Sequence, residues 1–124
     1  MQIISNQSLQ SLNTFGIEAT ARYFFSIESM EMLKSLHKNE ILSSEPLLIL
    51  GGGSNILFTK DFSGLVLQSK LTGIEFIEQS DAYVYAKASS GEQWHNLVRL
   101  CVAQNLGGLE NLALIPGLCG AAPI

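Results

Sequence analysis

Gly51, Gly52, Gly53, Ser54 and Asn55 follow directly on the apolar run Leu47–Leu50, so a strand candidate ends in backbone N–H groups with no Cβ in front of them. Consecutive glycines cost backbone entropy on folding and are expected only where a side chain would obstruct something or where φ must turn positive. A curled run of such N–H groups is an anion nest, and phosphate is its usual occupant. The competing reading is a tight turn between two buried strands, with Ser54 and Asn55 bonding their own backbone. A second glycine-bearing loop, Pro116–Gly120, also follows an apolar run. Two such loops would be able to clasp one extended ligand from two sides.

Neither standard nucleotide motif accounts for the first loop. In a dinucleotide fingerprint Gly51 and Gly53 fit, but the third glycine falls on Ile56. That fingerprint must also open a helix whose N-terminus takes the pyrophosphate. Here Ile56–Phe58 lead through Asp61 and Gly64 to another apolar strand, Leu65–Gln68, with no room for a helix. A P-loop needs Gly-Lys-Ser/Thr, which is absent.

Other reactive side chains are few. Cys101 and Cys119 lie in apolar surroundings without CxxC spacing, so they read as free thiols of a reduced cytosolic protein rather than a disulfide or metal ligands. The two histidines, His37 and His95, fall on predicted helices away from the glycine loops, and His95 beside Trp94 reads as a helix-surface residue. No catalytic residue and no metal site emerges from the pattern.

Positioning these loops requires a folded chain, and the composition supplies one. Among 124 residues, 47% are hydrophobic and only 15% charged, which argues against disorder and for a buried core. The net charge of −4 and the lack of a basic patch argue against nucleic acid as partner. No signal peptide and no apolar run long enough to span a membrane is present, so a cytoplasmic location is expected.

In order, Gln2–Asn13 reads as a polar arm and Tyr23–Phe25 as a short strand. Ser29 is placed to cap a helix to about Lys38, with Glu31 in its first turn. Leu47–Leu50, apolar on both faces, reads as a buried central strand. Strand, helix and strand make a βαβ unit with a parallel pair. After a connection at Ser69–Gly73, Ile74–Glu78 and Tyr83–Ala88 form a predicted hairpin. Ser90–Gln93 fits a capping box ahead of the helical stripe Trp94, Leu97, Val98 and Cys101, which ends near Asn105 and Gly107. The apolar, glycine-bearing ending from Gly108 onward reads as a loop in want of a cover, and the chain as the N-terminal portion of something longer.

The segments NTFGIEATARYF (Asn13–Phe24), LILGGGSNILF (Leu48–Phe58), SGEQWHNLV (Ser90–Val98) and GLENLALIPGLCGAAPI (Gly108–Ile124) resemble the UDP-N-acetylenolpyruvoylglucosamine reductases across nearly the whole chain. The resemblance implies an α+β fold, the FAD-binding fold of the vanillyl-alcohol-oxidase type, with two small α+β subdomains, at 1–69 and 70–124. The second is incomplete and a substrate-binding domain is absent. It implies a cytoplasmic, NADPH-dependent flavoprotein oxidoreductase that reduces UDP-N-acetylglucosamine enolpyruvate to UDP-N-acetylmuramate in peptidoglycan precursor synthesis, a cell-wall step tied to cell shape and division. Gly51, Gly52, Gly53, Ser54 and Asn55 would cradle the FAD pyrophosphate through backbone amides. Ile115, Pro116, Gly117, Gly120, Ala121, Ala122 and Ile124 would belong to the loop beside the flavin and its ribityl chain. Ala121 and Ala122 stand where some members carry serine, which leaves backbone contacts there but no hydroxyl.

With both histidines away from the loops, non-covalent FAD is expected. Asn13 and Thr14 either touch the cofactor region or cap the turn before Ile17. The serine, glutamate and arginine that the family uses for chemistry lie beyond Ile124, so the resemblance assigns no catalytic residue within this chain. Alternatives are another oxidoreductase of the same FAD fold and a non-catalytic fragment.

Overall fold

Parallel strands cannot be joined by a tight turn and need a crossover, which the order strand, helix, strand provides. The computed structural model describes residues 2–80 and 82–122, and of residues 78 and 79 the backbone alone. The chain divides into two units, Met1–Lys70 and Leu71–Ile124. The first contains β1 (Ile4–Ser8), β2 (Thr20–Ile27), α1 (Met30–His37), α2 (Ile41–Ser44), β3 (Leu47–Leu50) and β4 (Phe62–Ser69). The second contains β5 (Ile74–Ser80), β6 (Tyr83–Ala88) and α3 (Trp94–Ala103).

The sheet of the first unit has the order β1-β2-β4-β3. β2 and β3 both run parallel to β4, and β1 runs antiparallel to β2. The βαβ connection is therefore present, but its two strands are not neighbours, because β4 lies between them. This corrects the placing of Leu47–Leu50 at the centre. β3 is an edge strand among the described residues, with Ile49 73% exposed and Leu50 buried. An apolar run reports that both faces tolerate burial, not which strand takes the middle position; β4, with Leu65 and Val66 fully buried, takes it.

The expected polar arm is also corrected. Ile4–Ser8 is a strand, with Ser5 opposite Tyr23 and Gln7 opposite Ala21. An edge strand exposed to solvent can be built from polar residues because its ladder supplies the stability. Leu9, just after it, is fully buried and its N–H donates to the Ala19 carbonyl at 2.8 Å.

Against the sheet, Leu9, Ala19, Ala21, Phe24, Leu50, Phe58 and Val66 form one core cluster. Burying a side chain such as Phe24 contributes about 2–3 kcal/mol. α1 packs against β2 and buries Leu36. Its N-terminus is closed by the Ser29 hydroxyl, which accepts from the Met32 N–H at 3.2 Å, a cap that contributes about 1 kcal/mol.

In the second unit β5 and β6 form an antiparallel hairpin. α3 buries Leu97, Val98 and Cys101, and Asn105 at φ 57 ends the helical path. The capping box is not formed. α3 begins at Trp94, after Gln93, and no side chain caps it. The carbonyls of Ser90 and Glu92 instead accept from Gly120 and Cys119, a long-range pairing that holds the chain extended where a helix start was expected.

Candidate functional site

The glycine loop leaves the sheet at Leu50, where the strand end is anchored in the core. Two segments then hold the loop by its carbonyls. Thr14 donates to the Gly53 carbonyl twice, from N–H at 3.0 Å and from Oγ1 at 3.3 Å. Gln68 Nε2 reaches the Gly51 carbonyl at 3.5 Å. Among the described residues, no N–H of Gly52, Gly53, Ser54 or Asn55 donates to a protein acceptor. Carbonyls bonded inward and amides left over are the electrostatics of an anion site, and Gly53 at φ +67 supplies the left-handed residue that curls consecutive amides together.

Glycine at 53 also has a packing cause. A Cβ there would stand 1.9 Å from the Leu12 carbonyl oxygen and 2.9 Å from Asn13 Cα. The loop and the Leu12–Thr14 segment are thus fitted to one another, which separates the two roles left open for Asn13 and Thr14. Asn13 holds the turn: its Oδ1 accepts from the Ile17 N–H at 3.0 Å, and its Nδ2 donates to the carbonyls of Leu9 at 2.8 Å and Ile17 at 3.0 Å. Thr14 holds the glycine loop.

Two further polar side chains gather at the same end of the sheet, and neither drew notice in the sequence. Ser26, Gln68 and Leu50 lie in register across β2, β4 and β3, at the carboxyl ends of parallel strands, where open sheets place their ligands. The Ser26 hydroxyl is buried with no partner among the described residues. A serine inside an apolar strand gives no spacing signal; only the register reveals its place.

In the second unit, Pro116–Gly120 is strapped to the stretch before α3. The Gly117 carbonyl accepts from Trp94 at 3.1 Å, and Cys119 and Gly120 donate to the carbonyls of Glu92 at 2.7 Å and Ser90 at 3.1 Å. Gly120 lacks a side chain for a packing reason, since a Cβ would lie 2.6 Å from that of Ser90. The Ala121 and Ala122 amides are bonded back to Leu118 and Cys119. Ile115 and Pro116 are exposed and Gly117 sits at φ 124. Ile124, also expected in this loop, lies outside the described residues.

His95 departs from its expected place. It is on α3, but it is not remote from the loop, because its Nδ1 accepts from the Leu114 N–H at 3.2 Å. Trp94 acts beside it, its Nε1 donating to the Leu112 carbonyl at 2.8 Å.

Both cysteines are free. Burial pushes the Cys101 thiol up, and burial followed by the Glu92 carboxylate does the same to Cys119. The thiolate is the reactive form, so alkylation by iodoacetamide at pH 7 is expected to be slower than that of an exposed cysteine. The rate should climb as pH rises above the ordinary thiol range; labelling at the exposed rate would show an activated thiol. Among the described residues no group of three or more His, Cys, Asp or Glu is placed to hold a metal ion, and no helix is long and apolar enough to cross a membrane.

Residues 23–124 match the family model described as an FAD binding domain. The chain is 48% identical over all 124 residues to the UDP-N-acetylenolpyruvoylglucosamine reductase of Amoebophilus asiaticus. It is 46% identical to that of Flavobacterium johnsoniae, again over its whole length. It spans 37% and 36% of those two relatives. Among solved structures, UDP-N-acetylenolpyruvylglucosamine reductase from Thermus caldophilus matches 98% of this chain and 40% of its own with a TM-score of 0.66 at 22% identity, a likeness of fold. The relatives bear out the resemblance drawn from the four motif segments, and the mixed α+β class is the one observed.

Proposed function

The chain belongs to the family of FAD binding domains, and from that premise we propose that it is the FAD-binding portion of an NADPH-dependent flavoprotein reductase. The reductase converts UDP-N-acetylglucosamine enolpyruvate to UDP-N-acetylmuramate in the cytoplasm, for peptidoglycan precursor synthesis. The names carried by the relatives at 48% and 46% identity support that substrate class.

One observation carries the cofactor assignment: the loop turns its carbonyls to Thr14 and Gln68, while the amides of Gly52–Asn55 have no protein acceptor among the described residues. A pyrophosphate fits that donor set. In this reading Gly51, Gly52, Gly53, Ser54 and Asn55 hold it through backbone N–H groups, each bond to a charged oxygen contributing about 1.5–3 kcal/mol. Ile115, Pro116, Gly117, Gly120, Ala121, Ala122 and Ile124 line the flavin and ribityl chain. With the Gly120–Ala122 amides bonded internally, the N–H groups of that loop without a protein acceptor among the described residues are those of Ile115, Gly117 and Leu118. When bound, the flavin would supply the hydride-transfer chemistry between NADPH and the enolpyruvyl double bond. The chain's own residues bind and orient the cofactor. The proton donor and the groups that stabilise the enolate come from outside 1–124.

The full-length protein is expected to purify yellow and to release its FAD on acid precipitation, as a non-covalent cofactor does. A colourless protein that takes up no FAD on addition would sink the reading. Gly52 is exposed, and Gly52→Val adds a branched side chain within the run of amides. FAD content should fall below about a tenth, while stability stays within about 0.5 kcal/mol, as for other exposed substitutions. Undiminished flavin in this variant would reduce the loop to a turn.

A further inference from the structure

Leu114 is a leucine held in the left-handed region, at φ 64, with its side chain 77% exposed. Residues other than Gly, Asn and Asp rarely adopt that backbone, and they keep it only where the surroundings over-determine it. The exposed side chain of Leu114 provides no such constraint. The constraint comes from two adjacent side chains in the first turn of α3. His95 Nδ1 accepts from the Leu114 N–H at 3.2 Å, and Trp94 Nε1 donates to the Leu112 carbonyl at 2.8 Å. The Trp94 backbone N–H then holds the Gly117 carbonyl at 3.1 Å. Two consecutive residues thus fix the chain before and after Ile115 and Pro116.

We propose that His95 and Trp94 are positioning residues of the flavin loop, holding Leu114 left-handed so that Ile115–Gly117 meet the cofactor in one preset conformation. The inference rests on the reading that this loop touches FAD. Its physical content is preorganisation: a loop fixed before binding loses less conformational freedom when the cofactor arrives. For Nδ1 to accept, the imidazole carries its proton on Nε2. An asparagine at 95 keeps an acceptor at nearly the same place, Oδ1 replacing Nδ1, whereas a leucine keeps bulk and loses the acceptor.

The test uses the full-length protein in three variants, His95→Leu, His95→Asn and Trp94→Phe, with two readouts. In FAD-free protein, Leu114 amide exchange should quicken about fivefold or more in His95→Leu, the net effect of one lost hydrogen bond, and stay within about twofold of the parent in His95→Asn. FAD titrated by flavin fluorescence should bind about fivefold more weakly to His95→Leu and Trp94→Phe, and close to normally to His95→Asn. Unchanged exchange at Leu114 in His95→Leu overturns the positioning role. Equal losses in His95→Leu and His95→Asn also overturn it, since bulk rather than the acceptor would then matter. A parent protein that takes up no FAD instead sinks the cofactor reading, and with it the cofactor half of this proposal, while the exchange data still decide whether His95 holds the loop.

Discussion

Gly53→Ala is expected to destabilise the protein by about 3 kcal/mol and to abolish FAD retention, the largest loss that one added methyl group should cause in this chain. Two costs combine at position 53. The left-handed backbone at φ +67 opposes any Cβ, by about 1–2 kcal/mol. The new carbon would also lie 1.9 Å from the Leu12 carbonyl oxygen, a backbone atom with no freedom to swing away. Relief requires the Leu12–Thr14 segment and the glycine loop to part, which breaks both Thr14 bonds to the Gly53 carbonyl. Gly16 offers an internal control, with φ +65 and nothing within 4 Å of where a Cβ would stand. Gly16→Ala should therefore show the backbone cost alone, about 1–2 kcal/mol, with FAD retained. Urea unfolding and flavin content of the two variants check the pair; equal losses would show that the contact with Leu12 does not constrain the loop.

The contrast between the two glycines marks where the sequence was legible. LILGGGSNILF announces a strand followed by an exposed run of amides, because glycine has few reasons to be repeated. It does not announce which glycine serves the ligand and which serves the fold. Gly53 and Gly120 close against Leu12 and Ser90, contacts 41 and 30 residues away that no local pattern encodes. The same limit explains the misplaced strand. Leu47–Leu50 is apolar in both alternations, yet β4 occupies the centre of the sheet, since strand order is set by crossovers rather than by composition. It explains the capping box as well: Ser90–Gln93 has suitable residues, but its carbonyls are engaged by Cys119 and Gly120, and the helix starts after them. Local signals such as the Ser29 cap and the hairpin at β5 and β6 were readable because their partners lie within a few residues.

Asn13→Asp should be comparably damaging, costing about 3 kcal/mol at pH 7 although it replaces one atom by another of nearly equal size. Asn13 is 6% exposed, and its amide serves both polarities at once. Oδ1 accepts from Ile17, while Nδ2 donates to the carbonyls of Leu9 and Ile17, with that of Gln10 a more distant third at 3.5 Å. A carboxylate keeps the first bond and sets an unpaired charge against these carbonyls. Burial and those carbonyls raise the folded-state pKa of the new acid above its unfolded value. The sign follows: the protonated form, favoured by the fold, gives its stability in full below the unfolded value, and that stability is lost as pH rises through the folded one. The deficit against the parent should then be larger at pH 7 than at pH 4.5 in paired urea melts; a deficit independent of pH would mean that the side chain escapes to solvent. Because Asn13 Cα is one of the atoms against which Gly53 closes, the two substitutions share a seam. Gly53→Ala and Asn13→Asp combined should cost less than the sum of their separate effects, since once the turn has opened the added methyl group has nothing left to displace.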